Sequence, residues 1–484
     1  MIELFTWQDY EAASNKPKWI GNAITRYKRS DVYKDAIDES SYERGQDVTI
    51  MNTMRYIYQV TGEKVRDFTS ANYMISSNIF HRINTQKTAY LLGNGVSFSN
   101  TEQVYINGEF VTIDKTKDLL GYKFDRAMYD ALYWALINGE SYTYVHRNEK
   151  NDGWVYDLFK REEFVPIIDE DTGTMKAGIL FWSLDWNTKP INAVLYTEQG
   201  YTKYQSDKKR GLASLHEVQP LTPYLQTVHY TEFDGEEIVG GDNYGALPIF
   251  PLRLNDKRYS TLKFLRPLID AQDMILSGLA NDLHDCTQVY WTVSNAMGMD
   301  DESLTALRDR MRLTHIVAMD EANGATITPY TQEIPFNAQE AALKELHDRI
   351  YADMGALDLQ TITAGATNDH IEASYKPMDE ETDNYEYYMI EFIQDILNVM
   401  LNIEDTPVFK RARITNEKEL TEMVLLASNF LDEETVLNKL PFLTVDEVQK
   451  IMLSKNGEVT NREVDEEWQK EEQEIEQENK PIES

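Results

Sequence analysis

The residues able to do covalent or metal chemistry are few and scattered. The 484-residue chain has eight histidines and one cysteine, Cys286. No His-Glu-x-x-His run or comparable metal-ligand spacing occurs, and there is neither a Gly-x-Ser-x-Gly elbow nor a phosphate loop. The pair Gly93 and Gly95 in GNGVSF lacks the Gly-Lys-Ser/Thr ending that cradles phosphates, so it reads as a turn. His284, Asp285 and Cys286 adjoin, but neighbours on a helix point in different directions, which leaves a core or interface cysteine. A lone cysteine forms no intramolecular disulfide and no cysteine metal site, so we expect a reducing compartment and no cofactor or metal. Carboxylates are abundant, and with 29 tyrosines and 8 tryptophans they could supply a glycosidase pair. Nothing in the sequence singles out two of them. A carboxylate-dependent polysaccharide hydrolase and an acidic non-pore scaffold for a basic partner therefore stay open as alternatives.

Charge narrows the field. Lys and Arg number 47 and Asp and Glu 82, for a formal net charge of −35. Gripping nucleic acid along its length draws on clustered cations, so that mode is excluded. Solubility, repulsion of nucleic acid, and docking to basic partners all fit. No apolar run is long enough for a transmembrane helix, and MIELFTWQDYEAASNK has no basic-then-apolar signal layout, so no membrane association or secretion is expected. The length allows about two to four structural units.

The elements that would position a site centre on residues 259–402. Leu262, Leu265, Ile269, Leu276, Leu279 and Leu283 follow helical spacing over Tyr259 to Asp285, with Gln272 interrupting the stripe. Leu343, Leu346, Ile350 and Met354 do the same over Asn337 to Gly355, with Asn337 and Glu340 as a capping box and Gly355 as the stop. Between them, QVYWTVSN, THIVAMD and ATITPYTQ read as strands, and Asp300 to Arg312 as a short charged helix. A cation-free loop, Leu357 to Asp369, leads into a long helix from His370 to Asn402, loaded with Asp379, Glu380, Glu381, Asp383, Glu386, Glu391 and Asp395. By itself that is a solvated acidic face, and Pro377 bends the helix or marks its start.

Residues 1–50, with Arg26, Lys28, Arg29 and Lys34, read as a surface segment, and 47–66 and 71–92 as helices. A helix at 124–138 precedes a meander of short strands: SYTYVHR, WVYDLF, VPIID, AGILFWSL, NAVLYTE and YTKYQSD. TPVFKRARI reads as a strand, Glu417 to Phe430 as a helix, and two short helices broken at Pro441 precede an acidic tail from Glu458.

Several stretches together resemble the portal, or head-to-tail connector, family of tailed double-stranded-DNA bacteriophages. They are RINTQKTAYLLGNGVSFS, YDALYWALINGESYTYVHRNEKNDGWVYDLF with VPIID, ALPIFPLRLND before LRPLIDAQDMILSGLANDLHD, and RITNEKELTEMVLL with LDEETVLNKLPFLTVDEVQKIM. The resemblance implies an α+β fold: a wing body (1–258), two stem helices (259–285 and 337–356), a small α/β clip (286–336), a tunnel loop (357–369), a long channel helix (370–402), and a strand and helical crown (403–455); the acidic tail (456–484) has no counterpart in that family. It implies a non-enzymatic homo-oligomer of about twelve subunits at one capsid vertex of the virion, assembled in the host cytoplasm, through which double-stranded DNA is packaged and ejected. Implied partners are the terminase large subunit, the head-tail adaptor, and the major capsid and scaffolding proteins. Leu357, Gln360, Thr361, Thr363, Ala364, Gly365, Thr367 and Asn368 would face DNA. Asp379, Glu380, Asp383 and Glu386 would line the channel, and Asp301, Arg308, Arg310 and Arg312 would dock partners on the clip.

Overall fold

The computed structural model describes residues 5–58, 63–67, 70–106, 109–148, 153–185, 189–207, 211–231, 235–286, 290–294, 302, 326–330, 336–358, 367–413, 417–428, 433–440, 448 and 451. The helices we number are α1 (Trp7–Ala12), α2 (Lys16–Arg29), α3 (Asp31–Glu43), α4 (Val48–Met51), α5 (Ile79–Leu92), α6 (Lys115–Leu120), α7 (Phe124–Asn138), α8 (Leu262–Cys286), α9 (Phe336–Asp353), α10 (Asn368–Ile396), α11 (Glu417–Ala427) and α12 (Glu433–Lys439). The chain divides into two compact units, one of residues 1–356 with 378–412, the other of 357–377 with 413–484. The division inside α10 falls at Pro377.

In the first unit, a six-stranded sheet runs in the order Phe5–Thr6, Phe164–Ile168, Met175–Trp182, Asn192–Thr197, Gly200–Gln205, His216–Thr222. The first pair is parallel and the others antiparallel. Period-two alternation gives it two apolar faces. Val165, Ile167, Ile179, Phe181 and Leu195 pack under Ile20, Ile24 and Tyr27 of α2. Phe164, Val194 and Tyr196 point the other way, onto Tyr142, Tyr144, Phe159 and Ile249. Those four come from a three-stranded sheet ordered Ile249–Arg253, Glu140–Arg147, Trp154–Lys160. Gly178 is required, because a Cβ there would lie 2.0 Å from the Phe164 ring.

The expected surface segment at 1–50 is therefore corrected. Ile20, Ala23, Ile24 and Tyr27 form a helical stripe that buries against the sheet, hidden in sequence by Pro17, Gly21 and the basic residues around them. Arg26 and Lys28 lie over the rings of Phe5 and Tyr33 instead of clustering.

Two more expected helices are shorter. Among the described residues of 47–66, only Val48–Met51 is helical, after which Tyr56–Tyr58 pairs with Lys64–Arg66. Helix α5 starts at Ile79, and residues 71–78 are neither helix nor strand, because Ser76, Ser77 and Asn78 favour caps and turns over helix interiors.

Helix α7 forms as expected and is the core's central rod. Its Met128, Leu132 and Leu136 pack with Tyr385, Met389, Phe392, Ile393 and Ile396 of α10. Each such fully buried side chain stabilises by roughly 1.5–3 kcal/mol. Helix α10 ends in a π-turn at Leu397–Leu401, stopped by Asn402 at φ +54.

The second unit contains the start of α10, with Ile371 and Tyr375 buried, and the contacting pair α11 and α12. The expected helix from Glu417 ends at Ala427 rather than Phe430. The expected strand at TPVFKRARI shrinks to Pro407–Phe409, paired with Val96–Phe98. The expected break at Pro441 and the tail from Glu458 lie outside the described residues.

Candidate functional site: two long helices and an acidic helix

Helices α8 and α9 form an antiparallel hairpin. Leu262, Leu265 and Ile269 at the start of α8 share a core with Ile350 and Met354 at the end of α9. At the other end, Gln339 donates to Asp282 at 3.4 Å. Tyr290–Ser294 and Thr326–Tyr330 pair antiparallel between the helices, matching two of the three expected strands; THIVAMD lies outside the described residues. So does the expected helix 300–312 beyond Glu302, including Asp301, Arg308, Arg310 and Arg312. Asn337 is inside α9 and not ahead of it, so the expected capping box is corrected, whereas Gly355 takes the left-handed φ of +56 expected of a stop.

The hairpin springs from a rigid joint. Glu140 is buried, ion-paired with Arg253 at 3.5 Å and Arg258 at 3.4 Å, and accepts the Tyr142 hydroxyl at 2.9 Å. Arg161 donates to the carbonyls of Asn138 (2.8 Å) and Arg258 (3.2 Å). Arg258 has φ +55, and a Cβ on Gly139 would lie 2.2 Å from the Arg258 carbonyl oxygen. The Ser260 and Thr261 hydroxyls then take up the Ile137 and Leu136 carbonyls at the end of α7. Behind the joint, burial pushes the Glu39 carboxyl up to about 7, against the Asn138 amide and Arg161 that pull it down.

Beyond the joint, the buried line of α8 is polar. Asp273, Ser277 and Asn281 recur every four residues and are buried, while Leu276 and Leu279 of the expected stripe are half-buried and Leu283 is exposed. They read the backbone of residues 73–77. The amides of Tyr73, Ile75 and Ser77 donate to Asn281 (2.6 Å), Ser277 (2.9 Å) and Asp273 (2.9 Å). One helical turn plus a fraction rises about 6 Å, close to the two-residue repeat of an extended chain, so the ladder stays in step. Sequence reading missed it; the signal was the Asp-x3-Ser-x3-Asn spacing. His284 at the helix end contacts the Tyr73 hydroxyl at 3.3 Å.

The acidic helix is partly neutralised. Asp379, Asp383 and Glu386, on one face of α10, surround Arg411, which pairs with Asp379 and Glu386 at 2.8 Å each and with Asp383. Tyr90 also donates to Asp379, at 2.6 Å. Burial pulls the guanidinium down, but the three carboxylates more than offset it and hold it above its ordinary value. One turn away, fully buried Lys87 meets Glu381 at 3.2 Å. Burial lowers the Lys87 ammonium, and Glu381 opposes that shift. Glu380 is exposed. Sequence reading left the side chain of Arg411 unassigned; the strand ends at Phe409, so Arg411 and Arg413 follow no strand alternation, and Arg413 lies over the Tyr375 ring.

The expected loop is bounded on both sides. Leu357 is buried. Thr367 caps α10, its carbonyl accepting the Ile371 amide at 3.0 Å and its hydroxyl the His370 amide at 3.4 Å. Asn368 lies in the helix, which therefore starts two residues earlier than expected. Gln360, Thr361, Thr363, Ala364 and Gly365 lie outside the described residues.

The chain is a mixed helix-and-sheet protein with this long hairpin. Residues 37–478 match the family described as phage portal protein, SPP1 Gp6-like, and the chain belongs to that family. It is a structural, non-enzymatic component of phage particles, so the hydrolase alternative falls. The portal protein of Bacillus phage SPP1 is 24% identical over 420 residues, covering 80% of this chain and 77% of that one. The portal protein of Clostridium phage phiCD119 is 22% identical over 305 residues, 61% of this chain and 63% of that one. Among solved structures, a chain in the neck of a native gene transfer agent particle with C12 symmetry is similar, with TM-score 0.39, 12% identity, and 76% and 89% coverage. Among the described residues, no helix is long and apolar enough to cross a membrane.

Proposed function

We propose that copies of this chain stand side by side in a ring of about twelve at a capsid vertex, and that duplex DNA passes along its axis during packaging and ejection. The observation that carries this reading, with the family membership, is the α8–α9 hairpin's bare apolar surface. Phe264 (74%), Met274 (51%), Leu283 (51%) and Phe336 (49%) are exposed in the single chain at separate points of the hairpin, Met274 and Leu283 on opposite sides of α8. Neighbouring hairpins of the same chain cover them.

In this reading residues 1–258 are the wing, the hairpin helices the stem, and 286–336 the clip that meets the terminase large subunit and then the head-tail adaptor. The 357–369 loop is the tunnel loop, α10 the channel helix, and 403–455 the crown. The rest of the particle contacts the wing and crown through capsid and scaffolding proteins. A net charge of −35 per copy leaves the axis without the phosphate-neutralising grip that would stall a sliding duplex. Assembly is placed in the host cytoplasm and the finished ring in the virion. Negative-stain images and native mass of the purified chain are expected to give rings with a central hole. A monomer at every concentration overturns the proposal.

A further inference from the structure

We propose that residues 73–77 are a strap held on α8 by Asp273, Ser277 and Asn281, that Asp273 and the neighbouring Asp47 form a carboxyl pair that binds one proton, and that the strap lets go when the proton leaves. The inference stands on the single chain and goes beyond the ring reading.

The geometry carries it. Asp47 caps α4: one carboxyl oxygen, Oδ1, accepts the amides of Thr49 (2.7 Å) and Ile50 (3.0 Å) and the Tyr42 hydroxyl (2.9 Å). The Asp47 amide donates to Ser76 Oγ at 2.9 Å. Asp273 Oδ2 accepts the Ser77 amide at 2.9 Å. So the Asp273 carboxyl and the Asp47 backbone amide hold the strap. The other carboxyl oxygens, Asp47 Oδ2 and Asp273 Oδ1, are buried and have no donor, in residues with no exposed surface. Consecutive strap residues, Ser76 and Ser77, bring Asp47 and Asp273 together by bonding to one and then the other. One proton between them satisfies both orphans. It sits on Asp273, whose backbone donor is the Ser77 amide alone, whereas Asp47 takes two amides and shares the single Tyr42 proton with Asp270. A hard divalent cation asks for about six oxygens, and this pair presents two.

The surroundings offer no substitute cation. Asp270, one turn earlier, is taken up by the hydroxyls of Tyr42 and Thr49 and by Arg266 at 4.0 Å, and Arg266 pairs with Asp38 at 2.9 Å. From α5, Lys87 reaches Glu381. From α9, the titratable residue on the half-buried face, His347, lies beside Asp348 at 3.6 Å. At the strap's far end is His284, against Tyr73.

Burial pushes the Asp273 carboxyl up from its ordinary 3.8 to about 6, the Ser77 donors pulling it back and the charge of Asp47 pushing further. A carboxyl raised in the closed form contributes stability that is full below 3.8 and lost as pH rises through about 6. For a strap whose open form titrates normally, the opening constant rises about tenfold between about pH 5 and about pH 8. Opening would free the tether between the Tyr56–Arg66 hairpin and α5.

The test is hydrogen exchange of the Tyr73, Ile75 and Ser77 amides in the full chain at about pH 5 and about pH 8, corrected for intrinsic rates, with the infrared carbonyl band of a protonated carboxyl followed alongside. The expected result is about a tenfold fall in protection at the higher pH and loss of that band. Asp273→Asn, whose amide donates to Asp47 with no proton to lose, keeps equal protection at both values. The proposal is overturned by pH-independent protection in the unaltered chain, by an equal fall in Asp273→Asn, or by protection that a chelator removes and magnesium restores. Should Asp273→Asn not fold, hydrogen exchange decides alone, because Glu39, at about 7, gives the same infrared change, and pH-independent protection of the three amides in the unaltered chain overturns the proposal.

Discussion

Helices α8 and α10 both turn carboxylates inward, and they satisfy them by opposite means. On α10, Asp379, Asp383 and Glu386 receive a guanidinium, and Glu381 an ammonium. On α8, Asp273 receives a backbone amide, with Ser277 and Asn281 continuing the same service along a chain segment that carries no cation. The difference lies in what packs against each helix. A side chain such as Arg411 brings charge, so its partners can stay ionised and its contacts weaken with salt where they are exposed. An extended backbone brings only dipoles, so the buried acid it meets shifts toward its neutral form. Two carboxylate-bearing helices thus behave as an ion cluster in one case and a hydrogen-bonded ladder in the other.

Removing Arg411 is the severest way to probe the contrast. Arg411→Ala leaves three carboxylates facing one another, Asp379 and Glu386 with little solvent to relieve them. A loss of about 2–3 kcal/mol is expected, reduced from a fully buried case because Asp383 is largely exposed. Arg411→Lys recovers part of it, since one ammonium cannot span three acceptors. Urea unfolding reads both. A change under about 0.5 kcal/mol would mean that the cluster is a surface arrangement, and the contrast with α8 would disappear.

On the ladder the effect is smaller and local. Asn281→Ala removes the acceptor for the Tyr73 amide and a donor to the Tyr73 carbonyl. About 1–2 kcal/mol of strap protection should be lost, seen as faster exchange at Tyr73 and Ile75, with the global unfolding midpoint nearly unmoved. Faster exchange across α8 itself would show that the ladder holds the helix rather than the reverse.

How far the sequence announced these sites follows from what each depends on. The helical stripe of α7 and the alternation of the strands from Glu140 to Gln205 were legible, because burial of one face writes a period into the residues that make it. The hairpin's two helices were legible for the same reason near the joint, where Leu262, Leu265, Ile350 and Met354 are buried. The polar line Asp273, Ser277, Asn281 was passed over because its partner is backbone, which leaves no complementary residue types 200 positions away. Residues 71–78 were drawn into α5 because Ile75 happens to sit at helical spacing from Ile79, and only the amides' bonds to α8 decide against it. The Arg411 cluster needed a contact across about 30 residues of chain that no periodicity reports.

The mildest substitution sharpens the comparison most. Lys87 is wholly buried, and a buried ammonium suggests that its loss should be severe. Yet its partner, Glu381, is half-exposed and can rehydrate when the cation goes, so no charge is stranded. The stem of Lys87 lies beside the Tyr385 hydroxyl, which donates weakly to the Lys87 backbone carbonyl at 3.4 Å and would still do so. Lys87→Met keeps the volume and drops the desolvation cost that lowers the ammonium's affinity for its proton. The change in unfolding free energy is expected to stay within about 1 kcal/mol of zero. Lys87→Ala, which opens a cavity instead, should cost more, about 2 kcal/mol or above. If Lys87→Met proves as damaging as Arg411→Ala, charge and not packing governs both ends of the acidic stretch, and α10 is a single electrostatic unit rather than one clasped cluster beside a filled core position.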